Sequence, residues 1–185
     1  MKRALLLRHP PVAAQWGGRC YGRTDAGLSA EGRGQARRWS CGDFARVVTS
    51  PARRARWPAA LLARRRGLPL EIEPRVAERD FGAWEGMSWD SIWQAEGDAM
   101  NGMIDAPGSF RPGGGETTAE LALRVLDWWR GIPDEPILVI AHGGPIAALA
   151  GSLRNLPVRE WLGQIPAPGE GLLIQGDAVS RWKAP

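Results

Sequence analysis

A chain of 185 residues, 44% apolar and 24% charged, has the size and composition of one soluble globular domain with an ordinary core. No stretch approaches the roughly 18 apolar residues of a membrane span, and the apolar run in "MKRALLLRHPP" falls short of the roughly 7–15 residues of a secretory leader, so neither is expected. The net charge of +4 rests on arginines dispersed among acids, with only Lys2 and Lys183 as lysines; this pattern suits anionic small substrates better than nucleic acid.

In chain order, "RALLLR" (3–8) predicts a buried strand, followed by a Gly-rich loop to Leu28. Ser29 is placed to cap a helix running to about Trp39. "ARVVTS" (45–50) predicts the next strand, after which Ser50 is expected to cap a helix whose first position is Pro51. In that helix, "ARRARWPAALLARRR" reads as a solvated basic face with Leu61 and Leu62 turned inward. "LPLEIEP" (68–74) predicts a third strand and "SWDSIWQAEG" (88–97) a short helix, and the chain from there to residue 115 reads mostly as loop. The spacing of Leu121, Val125, Leu126 and Trp129 predicts a helix over 116–130. "PILVIA" (136–141) follows as a central strand, then a helix through "PIAALAGSLRN", and "GLLIQGDAVSRW" (171–182) predicts a hairpin turning at Gly176-Asp177. Alternating strands and helices imply an α/β fold, a three-layer α/β/α sandwich with a mostly parallel central sheet. The closing hairpin makes one edge antiparallel.

The chain has only two histidines, His9 and His142, and each directly follows an apolar strand. In open α/β sheets ligands bind beyond the carboxyl ends of the strands, so both histidines are predicted at one crevice. Arg8 adjoins His9, Arg53 and Arg54 open the helix after the second strand, and Gly143 and Gly144 let the backbone approach a ligand. A helix N-terminus at Ser50 would add positive dipole. A dianionic phosphoryl group is the ligand that explains this set best. A metal would need a third protein ligand, and neither H-x-x-x-H nor H-x-D occurs, so no metal and no cofactor is expected. Cys20 and Cys41 have no disulfide or metal spacing and read as thiols of a reducing cytoplasm. His9 could act as a general base or attack phosphorus itself, and the second route needs an acid for the leaving alkoxide. Glu78, Asp80 and Glu85 are the candidates just past the third strand.

Six segments in order, "LLLRHP", "DAGLSAEG" (25–32), "SPARRA" (50–55), "ERDFGAWEG" (78–86), "GGET" (114–117) and "AHGG" (141–144), together resemble the histidine phosphatase superfamily in its phosphoglycerate-mutase-like branch. That resemblance implies a phosphoglycerate-mutase-like fold over the single domain 1–185, with His9 as the nucleophile that is transiently phosphorylated. It implies that Arg8, Arg54 and His142 hold the phosphoryl oxygens, that Glu78 is the proton donor, and that no metal takes part. The sequence departs from the family where Pro10 follows the nucleophile in place of glycine or threonine, where Gln15 replaces a common asparagine, and at Pro58.

A mutase and a phosphatase share these residues. The segment from Gly86 to Glu116 is short and Gly-rich compared with the covering insertions of mutases, which favours hydrolysis. "GGRCYGRTDAGLSAEG" (17–32) looks like the alpha-ribazole phosphatase group, whose members remove a 5′-phosphate in assembling the cobalamin nucleotide loop. On that resemblance Tyr21, Gly22 and Thr24, with Gln15, Trp84 and Gly143, are the expected substrate contacts. The alternatives are a broad-specificity small-molecule phosphatase, a phosphotransferase, or an inactive phosphate-binding protein on the same fold. The expected partner is a small phosphate ester, with no nucleic acid or membrane, and the protein is either a monomer or a homodimer.

Overall fold

The computed structural model describes residues 2–176 and 178–183. Its strands are β1 (Arg3–Arg8), β2 (Arg46–Thr49), β3 (Leu70–Ile72), β4 (Pro136–Ala141), β5 (Gly171–Gln175) and β6 (Ala178–Trp182). They form one sheet in the order β3-β2-β4-β1-β5-β6, parallel from β3 through β1 and antiparallel at β5 and β6. The helices are α1 (Ala30–Arg38), α2 (Arg53–Arg66), α3 (Trp89–Glu96), α4 (Gly102–Asp105), α5 (Thr118–Gly131) and α6 (Gly143–Leu153). None of them is long and apolar enough to cross a membrane.

Strand alternation sorts the apolar side chains to two faces. Leu5, Leu7, Val47, Leu138 and Ile140 pack under α1 and α2 with Ala36, Ala55, Ala59 and Leu62. Ala4, Leu6, Val48, Ile137 and Val139 pack under α5 and α6 with Leu121, Val125, Trp128 and Leu149. Three layers result, and the inner strands read as continuous apolar runs because both of their faces are covered. A third, smaller cluster of Cys20, Trp84 and Ile92 anchors the excursion that carries α3 and α4.

Ser29 caps α1, its hydroxyl accepting from Gly32 N at 2.9 Å. Thr117 and Glu120 make a reciprocal capping box that starts α5. Two expectations are corrected. The third strand is shorter than 68–74, and all three of its residues are exposed, because β3 is an edge with β2 on one side only. Ser50 does not cap α2, which begins at Arg53. Its hydroxyl instead meets His142 Nε2 at 2.6 Å, and the free N–H of Arg53 donates to Asp25 Oδ1 at 2.7 Å. The positive end of α2 thus holds a carboxylate of the protein. The hairpin β5–β6 forms as expected and Gly176 takes a positive φ of 60°, while Asp177 lies outside the described residues.

Candidate active site

Register brings the two histidines together. Arg8 pairs with Ala141 across β1 and β4, so the next residues, His9 and His142, emerge side by side with ring centroids 5.3 Å apart. Thr49 pairs with Ile140 on the other side of β4, which delivers Ser50 to His142. Both imidazoles are buried, and His9 lines a cavity of about 320 Å³ that opens beyond the carboxyl ends of the strands.

His9 Nδ1 donates to the carbonyl of Pro10 at 2.8 Å, which leaves the Nε2 lone pair free. Pro10 has no N–H to offer, yet its carbonyl fixes the tautomer of the residue before it. Burial, with the charges of Arg54 and Arg8, lowers the His9 pKa to about 3 against the opposing pull of the Pro10 carbonyl. The ring is therefore neutral and nucleophilic across the physiological range. His142 is fully buried, and its pKa is lowered well below the ordinary value by burial and then by Arg54. His142 Nε2 shares a hydrogen bond with the Ser50 hydroxyl, and its buried Nδ1 has no partner among the described residues.

Arg54 is buried inside the otherwise solvated basic helix. Its Nη1 and Nη2 donate to the carbonyls of Thr24 and Gly22 at 2.7 and 2.6 Å, and the Tyr21 ring lies 5.1 Å from the guanidinium carbon. Burial lowers its pKa. Arg8 donates from Nη1 to Pro166 O at 3.0 Å. Among the described residues, the buried Nε of each of these arginines has no acceptor. Glu78 lines the cavity beside His9, with Oε1 accepting from its neighbour Arg79 N at 2.9 Å and from Gly144 N, at the first turn of α6, at 3.2 Å.

Of the expected substrate contacts, Tyr21, Gly22 and Gly143 line the cavity, and Gln15, Thr24 and Trp84 do not. Gln15 is exposed on a 3₁₀ turn. Thr24 works from behind: its carbonyl holds Arg54, and its N–H donates to Glu85 at 2.6 Å. Trp84 is buried in the small third cluster because Ile92 and Cys20 come beneath it. Asp80 accepts from Gly82 N and Glu85 from Arg23 N, so both carboxylates serve loop structure and Glu78 alone of the three faces the cavity. Sequence reasoning missed Arg79 and Trp161, which line it together with Trp89. Of these, Arg79 had a signal, its place next to Glu78.

A model of the histidine phosphatase superfamily (branch 1) matches residues 4–168. Over 176 residues the chain is 34% identical to the glucosyl-3-phosphoglycerate phosphatase of Mycolicibacterium vanbaalenii, covering 87% of this chain and 78% of that protein. A mycobacterial glucosyl-3-phosphoglycerate phosphatase solved with VO3 superposes with a TM-score of 0.82 at 28% identity, covering 100% of both chains. The alpha-ribazole phosphatase from Shigella flexneri has a TM-score of 0.78 over 98% of this chain and 95% of that one, and at 23% identity it shares the fold alone. The chain belongs to the histidine phosphatase superfamily and is a phosphatase.

Proposed function

We propose that the chain is a metal-independent phosphomonoesterase that works through a phosphohistidine formed on His9. The observation that carries this reading is a set of buried nitrogens with no hydrogen-bond partner among the described residues: Arg8 Nε, Arg54 Nε and His142 Nδ1. They belong to residues that neighbour His9, whose Nε2 is open. With Ser50 donating to its Nε2, His142 carries its proton on Nδ1 and all three are donors. Buried donors left unsatisfied are costly. An equatorial set of phosphoryl oxygens would satisfy all three.

His9 Nε2 attacks phosphorus, the P–N bond forms, and the P–O bond to the alcohol breaks as Glu78 gives its proton to the leaving oxygen. Arg8, Arg54 and His142 stabilise the charge gathering on the transferred group, which is the work a metal does elsewhere. Glu78, now a carboxylate, takes a proton from water; the new P–O bond forms, the P–N bond breaks, and phosphate leaves with His9 neutral again. The buried free thiols of Cys20 and Cys41 accord with a reducing cytoplasm.

Two phosphate esters are in view. Glucosyl-3-phosphoglycerate is favoured by the relatives that share about a third of their residues with this chain. Alpha-ribazole 5′-phosphate, in cobalamin nucleotide loop assembly, is favoured by "CYGRTD" and by an apolar annex formed by Trp89, Ile104, Val158 and Trp161. The test of the reaction is hydrolysis of 4-nitrophenyl phosphate in excess EDTA. The intact protein turns over and traps an acid-labile phosphoryl group, and His9→Ala loses activity by at least about 1,000-fold, as removal of a covalent nucleophile does. Activity abolished by the chelator, or retained in His9→Ala, overturns the reading.

A further inference from the structure

The segment from Gly163 to Glu170 carries the support for Arg8 and His9. Arg8 donates from its backbone N–H to Glu170 O at 2.9 Å and from Nη1 to Pro166 O at 3.0 Å. The Gly169 N–H donates in return to Arg8 O at 3.1 Å and His9 O at 3.2 Å. Ile165 lines the cavity, and its Cγ2 would stand 3.1 Å from a Cβ on residue 143, so a shift of this segment is felt at the start of α6. Yet the segment has little of its own to hold it. Residues 165–167 lie in no helix or strand, and Pro166 and Pro168 bring no N–H. Its local backbone bonds run from Ile165 N to Leu162 O and from Glu170 N to Ala167 O.

The remaining ties come from the far edge of the sheet. Arg181, on the outermost strand β6, donates from Nη2 to Gly163 O at 2.6 Å and from Nη1 to Ile165 O at 3.1 Å. Two residues on, Lys183 pairs with Glu170 at 3.0 Å, so both ends of the segment are strapped to the end of one strand. The planar fork of a guanidinium can bridge two carbonyls in a fixed geometry, which an ammonium cannot. We propose that Arg181 is a positioning residue of the phosphatase. By fixing the Gly163 and Ile165 carbonyls it sets Pro166 O, and Pro166 O in turn aims the Arg8 guanidinium, whose buried Nε has no acceptor among the described residues, at the transferred phosphoryl group. This inference rests on the phosphatase reading above. Arg181 is exposed and does not line the cavity, so water competes for its two carbonyls and its worth to stability is small. Its worth to catalysis is larger, because a donor displaced by a fraction of an ångström stabilises the transition state less.

A double-mutant cycle between Arg181 and Arg8 tests this on two quantities. One is kcat/KM for 4-nitrophenyl phosphate; the other is the dissociation constant of orthovanadate, measured by calorimetry and so independent of turnover. Arg181→Gln is expected to lower kcat/KM and to weaken vanadate binding, each by about 10-fold, the scale of a modest misplacement. Its melting temperature should stay within about 2 °C of the intact protein, as for an exposed substitution. In an Arg8→Met background, where no guanidinium is left to aim, Arg181→Gln should add less than about 2-fold to either loss. Arg181→Lys, which keeps the charge and loses the fork, recovers only a part of both. Unchanged turnover and vanadate affinity in Arg181→Gln overturn the proposal. So do losses that add in full in the double variant, since Arg181 would then act on the fold or the cavity wall and not through Arg8. An intact protein that neither hydrolyses the ester nor binds vanadate would overturn the phosphatase reading itself, a result visible before any variant is made.

Discussion

A Cβ on residue 144 would lie 2.2 Å from Glu78 Oε1. Gly144 is therefore glycine because the carboxylate rests on its backbone, and its N–H holds the Glu78 carboxylate at the cavity. Gly144→Ala is expected to displace Glu78 and to change stability by less than about 1 kcal/mol, since α6 tolerates alanine in its first turn. The activity loss depends on the leaving group. Alkyl phosphates, which need a proton on the departing oxygen, lose about 100-fold, and 4-nitrophenyl phosphate, whose phenolate leaves unaided, loses far less. Equal losses on both esters would show that Gly144 does not act through proton donation. The positions of His9, His142 and Arg54 were legible in the sequence because each stands at a strand end or helix start, which the chain spells out locally. Trp84 lies outside the cavity because where a side chain points depends on what packs against it, and Cys20 comes to it from a distant part of the chain; Gln15 stays exposed on its 3₁₀ turn.

At the scale of elements, sequence periodicity located the strands and main helices to within a few residues, as at β4 and α5. It gave no sign of the 3₁₀ stretch Val158–Gln164, whose "VREWLGQ" follows neither a helical nor a strand repeat. That stretch supplies Val158, Trp161 and Leu162 to the cavity wall. It is held to α6 through Gly151, where an added Cβ would stand 2.2 Å from Trp161 Cδ1, and Trp161 Nε1 is tied to Leu156 O at 2.9 Å. Gly151→Ala is expected to push this wall outward, costing about 1–3 kcal/mol through overpacking. The KM for substrates with a bulky alcohol should rise several-fold, and kcat on 4-nitrophenyl phosphate should change little by comparison. Unaltered melting and unaltered KM would mean that Trp161 rotates aside without moving its segment.

Across the whole molecule, closing two apolar layers on the parallel strands dries the end of β1 and β4, and so determines the charge of both histidines. His9 titrates near 3 in the folded protein and near 6.5 as a free side chain. Between those values the unfolded chain binds a proton that the folded chain refuses, so stability is full above about pH 6.5 and falls as the pH drops toward 3. The slope is about 1.4 kcal/mol per pH unit, which amounts to roughly 3 kcal/mol from His9 by pH 4.5. His142 is lowered by the same burial and acts in the same direction. Glu73, whose pKa Arg75 pulls down, contributes only below the ordinary carboxylate range, so the first losses on acidification belong to the histidines. Thermal melting followed from pH 7.5 to 5 should show a falling midpoint over a window in which surface carboxylates remain ionised. His9→Gln, neutral at every pH, should flatten that slope by about half while leaving the melting temperature near pH 7.5 within a few degrees. A midpoint independent of pH across this window would mean that water reaches the histidines and that the active-site floor is not dry.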